Sequence, residues 1–253
     1  MAVPGTDWAN DPAVASGFDD YDDLPERTIG YPAVFSRLGL GRPDVGVVLD
    51  YGCGPGKVAL RMVETYGIRV IGVDISEHML GIARRRRSDP RIRYELIDDA
   101  RINNLSDSSV DAAISCYVFI NIADRRRLLE IATEVHRVLR PGGHYVLLDT
   151  NPNTTGIRFT TFMSGEPGRS YRVGERRKVF LALPTGAELE LADYHWPESV
   201  YRDVLTAAGF SEIRTSEPVL ADAERLGREI PAALTGGPEA TSPPFLVVEG
   251  AKI

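Results

Sequence analysis

Apolar residues along this chain follow two alternating rhythms, and their order predicts a layered α/β fold. Val45 to Asp50 is a short apolar run entering a glycine-rich turn, and Val58 to Tyr66 then carries apolar residues at helical spacing. Arg69 to Asp74 reads as a buried strand. Ser76 stands as an N-cap with Glu77 in the first turn of a helix through Arg87. Ile92 to Ile97 alternates as a strand does, and Val110 to Cys116 repeats the signal. Asp124 caps a helix that runs to Leu139 and stops at Pro141-Gly142-Gly143, and His144 to Asp149 follows as a strand. Strands alternating with helices of this length predict parallel βαβ units covered on both faces.

The flanks differ. Residues 1–16 mix Pro, Gly, Asp and Asn and are expected to fray, whereas residues 18–38 hold apolar side chains at helical spacing interrupted by Pro25 and Pro32, which predicts one or two short helices. After Asp149 the rhythm changes. Val179 to Leu183, a Pro184-Thr185-Gly186 turn and the alternating Glu188 to Tyr194 predict an antiparallel hairpin inserted as a cap. Pro197 fits the first turn of a helix through Ala208, with Gly209 in the favoured position just past its end. Phe210 to Thr215 reads as a strand, residues 218–242 as helix plus loop, and Phe245 to Gly250 as a last strand.

Composition narrows the function classes. With 253 residues, 43% hydrophobic and 26% charged, the chain can bury a large core without disulfide or metal. Twenty-nine Lys and Arg against thirty-six Asp and Glu leave a net charge of −7, which argues against a nucleic-acid partner and against docking on anionic lipid. Cys53 and Cys116 lie far apart without a partner pattern, so neither a disulfide framework nor a metal site is expected, and a cytoplasmic location is the natural reading. Met1 to Asn10 lacks the basic start and apolar run of a secretory signal, and no stretch approaches the ~20 apolar residues of a membrane span. Nothing here separates a monomer from a homodimer.

The strongest chemical signal is Val47-Val48-Leu49-Asp50-Tyr51-Gly52-Cys53-Gly54-Pro55-Gly56-Lys57: a strand, three spaced glycines, then a helix. Such glycines let backbone turn sharply and approach a ligand, and the open helix N-terminus offers unpaired N–H groups. The gaps between them are one and one residue, unlike the dinucleotide pattern G-x-G-x-x-G. Asp50 would sit badly beside a pyrophosphate and suits a ligand bearing an ammonium group. The alternative is a tight turn with no ligand. Asp74, about twenty positions after the glycines, is placed to read a ribose diol or to cap the next helix. Asp98-Asp99-Ala100 closes the third strand, where a carboxylate could accept from an adenine amine; the alternative is a solvated loop pair.

Taken in order, these segments resemble class I S-adenosylmethionine-dependent methyltransferases, in the group that acts on small molecules. The glycine loop resembles the first motif of that family. Ile71-Gly72-Val73-Asp74-Ile75-Ser76 with His78-Met79-Leu80 resembles the second, and Asp99-Ala100 followed by Ser106 to Asp111 the third. Glu134 to Gly143 resembles the last. The resemblance spans about residues 45–150. It implies a Rossmann-like, mostly parallel seven-stranded sheet with an antiparallel last strand, S-adenosylmethionine as cofactor and S-adenosylhomocysteine as product. With the flanks read above, the chain divides into an N-terminal helical lid (1–40) and a methyltransferase domain (41–253) with its cap insert at about 151–196. By the same resemblance Asp50, Gly52, Cys53, Gly54 and Gly56 cradle the methionine part, and Asp74 holds the ribose. Ile75 and Met79 line the adenine, and Asp99 and Ala100, or Asp98, meet its amine edge. Cys116 and Tyr117 pass under the sulfonium, and Phe18 or Tyr21 reaches the cofactor carboxylate.

A general base is needed only when the nucleophile arrives protonated. His195, in Asp193-Tyr194-His195-Trp196 at the junction of cap and helix, is the candidate catalytic and substrate-contacting residue; Tyr21, Asn121 and Asn151 are further acceptor contacts. His78, His136 and His144 fit structural or solvated roles, and the Arg84 to Arg87 run fits a solvated helix end. Tyr171, Phe180, Leu181 and Leu183 suggest a partly apolar acceptor, or simply build the hairpin core. The expected activity is methyl transfer to O, N or C of a small molecule, aromatic ones included, such as a secondary metabolite. The competing readings are a nicotinamide-dependent oxidoreductase, which the glycine spacing disfavours, and a cofactor-binding module without turnover.

Overall fold

Asp11 opens the helical part of the chain: its carboxylate accepts from the backbone N–H groups of Ala13 and Val14 and starts α1 (Pro12–Asp20). The computed structural model describes residues 6–8 and 10–253. The fraying expected of residues 1–16 therefore does not extend to Pro12–Ser16, which are helical; residues 1–5 and 9 lie outside the described residues. Pro25 and Pro32 do not interrupt as expected. A single π-helical turn, Glu26–Gly30, runs straight into α2 (Tyr31–Arg37), and Pro32 sits in the first turn of α2, where its missing N–H is harmless.

The α/β core follows the predicted order: β1 (Val47–Tyr51), α3 (Lys57–Tyr66), β2 (Arg69–Asp74), α4 (Glu77–Arg86), β3 (Ile92–Leu96), β4 (Val110–Cys116), α5 (Arg125–Val138) and β5 (Leu139–Thr150). Ser76 and Asp124 do cap α4 and α5, accepting from Met79 N and Arg126 N. Pro141-Gly142-Gly143, expected to be a stop between helix and strand, is instead the irregular start of β5. Leu139 already pairs with Val110, and the register shifts before His144 pairs with Ala112. Gly142 there holds a positive φ of 80°, and a Cβ on Gly143 would strike the carbonyl of Asp111.

Beyond β5 come β6 (Phe162–Ser164), β7 (Arg176–Ala182) and β8 (Glu188–Tyr194), then α6 (Glu198–Ala207), β9 (Ser211–Ser216), α7 (Leu220–Arg225), α8 (Ala232–Thr235) and β10 (Phe245–Ala251). The large sheet runs β3-β2-β1-β4-β5-β10-β9, parallel except for β10, which lies antiparallel to both β5 and β9. Val48 and Leu49 of β1 point to opposite faces. Leu49 joins Leu128, Tyr145 and Tyr201 beneath α5 and α6, and Val48 joins Val34, Met62 and Phe162 beneath α2, α3 and the cap. The cap is a three-stranded antiparallel sheet, β6-β7-β8; the third strand carries no clear sequence signal.

Two polar clusters fix the parts that surround the site. Arg177, buried on β7, makes a two-pronged contact with Asp193 on β8 at 2.7 and 3.1 Å and donates to the hydroxyls of Thr150 and Thr155, welding the cap to the end of β5. At the N-terminus Asp19 pairs with Arg86 and, at 2.6 Å, with Arg87. Lys57 donates to the carbonyls of Phe18 and Tyr21 at the end of α1. Half of the Arg84–Arg87 run is thus an anchor for α1 rather than a solvated helix end.

Candidate active site

The sheet reverses its winding at β1 and β4, and the crevice that such a reversal opens lies at the carboxyl ends of the strands. Here it is lined by Gly52 and Gly54 after β1, Asp74 at the end of β2 with Ile75 and Met79 beyond it, Ile97 after β3, and Cys116 at the end of β4 with Tyr117 and Asn121 beyond it. Gly52 has a φ of +78°, and a Cβ there would collide with Val118; at Gly54, with a φ of +53°, a Cβ would point into open space. Gly56 serves a different end. It also holds a positive φ, and its missing side chain lets Tyr94 and Ala83 close over the start of α3.

The electrostatics of the cleft floor are acidic. Asp50 is 1% exposed, and its Oδ2 has no hydrogen-bond partner among the described residues. Burial, with the nearby charge of Asp74, pushes its carboxyl up to about 7. It lies with Cys53, Gly54, Pro55 and Lys57 around the glycine loop. Asp74 braces that loop: Oδ2 accepts from Gly54 N and Oδ1 from Ser76 N, both at 2.8 Å. Burial raises its pKa, and these backbone donors work against that rise. Ile75, 49% exposed although apolar, and buried Met79 face Ile97 and Ile131 across the cleft.

Three residues assigned from sequence to the adenine edge do not line this crevice. β3 ends at Leu96, and the chain then turns so that Ile97 faces the cleft. Asp98 and Asp99 are exposed, and the Asp99 carboxylate accepts from Arg101 N at 2.5 Å. Ala100 is buried with its carbonyl taken by the Tyr51 hydroxyl.

A second, smaller cavity adjoins the first, sharing Trp8, Phe18, Tyr117 and Asn121 with it. Val179 and Leu181 of β7 and Leu191 and Asp193 of β8 form its cap-side wall, with Phe162 of β6; Tyr21 and Glu26 close the other side. Tyr117, at a φ of +60°, stands between the cavities with its hydroxyl on Glu26 Oε1 at 3.2 Å. Asn121 donates to the Tyr117 carbonyl at 2.5 Å. Asn151 does not line the cavity: its amide accepts from Asn153 N in its own turn and donates to the carbonyl of Pro243 in the segment before the last strand. Nor does His195. Its ring packs 6.1 Å from that of Tyr171, away from both cavities, and burial together with the charge of Arg177 lowers its pKa. The alternation along β7 and β8 could have marked Val179, Leu181, Leu191 and Asp193 as one face. No local signal separates Glu26 from the other acids of the N-terminal segment, or places Trp8 at the site.

The comparisons agree with this geometry. A family model described as a methyltransferase domain matches residues 48–143. N-demethylindolmycin N-methyltransferase of Streptomyces griseus is 37% identical over 211 residues, which cover 82% of this chain and 89% of that protein. This chain belongs to the S-adenosylmethionine-dependent methyltransferases. Among solved structures, an S-adenosylmethionine-dependent methyltransferase from Mesorhizobium loti superposes with a TM-score of 0.56 at 23% identity, covering 87% of this chain and 98% of that one. The CcbJ methyltransferase from Streptomyces caelestis gives 0.64 at 18% identity over 99% and 100% of the two chains. At these identities the structural likeness speaks for the fold. The enzyme is therefore a small-molecule methyltransferase that uses S-adenosylmethionine, and its cleft fits that cofactor. An unpartnered buried carboxylate suits an ammonium, glycines leave room for a ligand against the backbone, and an apolar slot suits a flat base. Among the described residues no helix is long and apolar enough to cross a membrane.

Proposed function

We propose that this methyltransferase transfers the methyl group to the nitrogen of a small aromatic compound held in the cap-side cavity. The observation that carries this is the cavity lining. Its walls are aromatic and aliphatic, and its ionisable acids are Glu26 and Asp193, with no Lys, Arg or His among the lining residues. Asp193 is engaged by Arg177, which leaves the Glu26 carboxyl as the acceptor offered to an N–H donor. The Streptomyces griseus relative, named for N-methylation, supports the same choice of atom.

S-adenosylmethionine supplies a methyl group already activated on a sulfonium, so the protein contributes chiefly alignment and dryness. Asp50 and the glycine loop would hold the methionine end. Asp74, at the end of β2 on the cleft wall, would hold the ribose. Ile75, Met79, Ile97 and Ile131 would sandwich the adenine, with Cys116 and Tyr117 under the sulfur. Residues 10–40 would serve as a lid, tied down by Asp19 and Lys57. Orientation of this kind is worth up to ~7–11 kcal/mol, and the lid excludes water that would compete. Incubation with S-adenosylmethionine and either N-demethylindolmycin or a panel of aromatic amines, each paired with its alcohol analogue, tests the reading by mass spectrometry. N-methylated products are expected; methylation of the alcohols with the amines untouched would end it.

A further inference from the structure

Glu26 lines both the acceptor cavity and the pocket behind the glycine loop, and one of its carboxylate oxygens has no partner among the described residues. It is 3% exposed and sits on the π-helical turn. The hydroxyls of Tyr21 and Tyr117 both donate to its Oε1, at 2.9 and 3.2 Å, which fixes the carboxylate. Oε2 is buried with no partner, and no Lys, Arg or His forms an ion pair with Glu26 among the described residues. Asp193, the other acid of the cavity, differs: both its oxygens are engaged by Arg177. A buried carboxylate oxygen left without a partner is destabilising unless a ligand completes it.

We propose that Glu26 Oε2 accepts the N–H of the acceptor nitrogen and carries its proton away during methyl transfer. This rests on the N-methylation reading above. The nitrogen lone pair forms the N–C bond while the C–S bond breaks and leaves its electron pair on sulfur. The N–H bond breaks, its proton passes to Glu26 Oε2, and from there it returns to water when product leaves. Tyr21 and Tyr117 keep the other oxygen occupied, so a single lone-pair face is presented to the acceptor.

The surroundings suit a base. Tyr21 after α1, Asp23 before the π-helical turn, Tyr31 on α2, Asp50 on β1, Lys57 on α3, Cys116 at the end of β4 with Tyr117 beyond it, and Asp193 on β8 are the titratable groups that face it among the described residues. Burial first, then Asp23, pushes the Glu26 carboxyl up to about 8, while the bonds from Tyr21 and Tyr117 hold it back. A base must be ionised to accept, so kcat/KM climbs with pH and levels off above about 8.

The test is Glu26→Gln in the full chain, with N-demethylindolmycin and S-adenosylmethionine as substrates and S-adenosylhomocysteine affinity measured by calorimetry. The expected result is a loss of roughly 100-fold or more in kcat, disappearance of the pH limb, unchanged S-adenosylhomocysteine affinity and an undiminished melting temperature. Glu26→Asp should recover part of the rate and keep a pH limb; it carries the test if the Gln variant does not fold. Weakened S-adenosylhomocysteine binding with kcat intact overturns the proposal and assigns Glu26 to the cofactor ammonium. A retained pH limb with normal kcat also overturns it and leaves Glu26 a packing residue. If the unaltered enzyme methylates no nitrogen in the probe or the amine panel, the N-methylation reading itself has failed and this inference falls with it.

Discussion

Arg177→Ala removes the guanidinium that Asp193, Thr150 and Thr155 all use, and leaves the Asp193 carboxylate in a site where it is 2% exposed. Burial pulls the Arg177 charge down in pKa and Asp193 more than reverses it; burial lifts Asp193 to about 6 against the pull of Arg177. Both ions are therefore expensive to bury and tolerable only together. Breaking such a pair from one side costs about 3 to 5 kcal/mol, while replacing both partners with apolar groups is often neutral. With an m-value near 2 to 3 kcal/mol/M, the single variant should lose roughly 1 to 2 M in its urea midpoint. The double variant Arg177→Met/Asp193→Leu should recover most of that loss, and amide exchange along β7 and β8 should quicken in the single variant alone. A loss below about 1 kcal/mol for Arg177→Ala, or a double variant no better than the single, would refute the claim that this pair welds the cap to the sheet.

Three other outcomes are expected. Gly52→Ala forces a Cβ into Val118 at a backbone angle that glycine favours, so S-adenosylhomocysteine binding should fall below detection in calorimetry, with about 1 to 3 kcal/mol of stability lost. Asp50 has a higher pKa folded, about 7, than its ordinary 3.8, so the folded state holds this proton more tightly and stability drains away as the pH rises between those values. Asp50→Asn should flatten that decline, on the order of 2 to 4 kcal/mol, and should also remove any gain in S-adenosylhomocysteine affinity across the same pH range; melting curves and titrations at several pH values read both. His195→Ala should leave kcat and KM unchanged, since the ring faces Tyr171 outside both cavities; a large drop in turnover would restore it to the site.

What was legible in the sequence was chemistry decided within a turn or a strand. Ser76 and Asp124 cap helices because the N–H groups they serve lie two or three residues on. Gly52 and Gly54 lie at the cleft because a strand entering a helix at that spacing needs left-handed backbone whatever surrounds it. The alternation of β7 and β8 foretold a hairpin, since period two is a property of the strand itself. Tertiary structure alone decided which polar groups would be sealed from water and by whom. Asp98 and Asp99 have the right identity at the right strand end, yet a turn after Leu96 sends them outward and gives Ile97 the cleft. Arg86 and Arg87 sit in a run that looks solvated until Asp19, far earlier in the chain, folds onto them. Among Asp19, Asp20, Asp22, Asp23 and Glu26, only Glu26 ends with an oxygen in the acceptor cavity, because Tyr21, Thr161 and Tyr117 converge there from three separate segments. Burial and partnership are sums over residues distant in sequence, and no local pattern carries them.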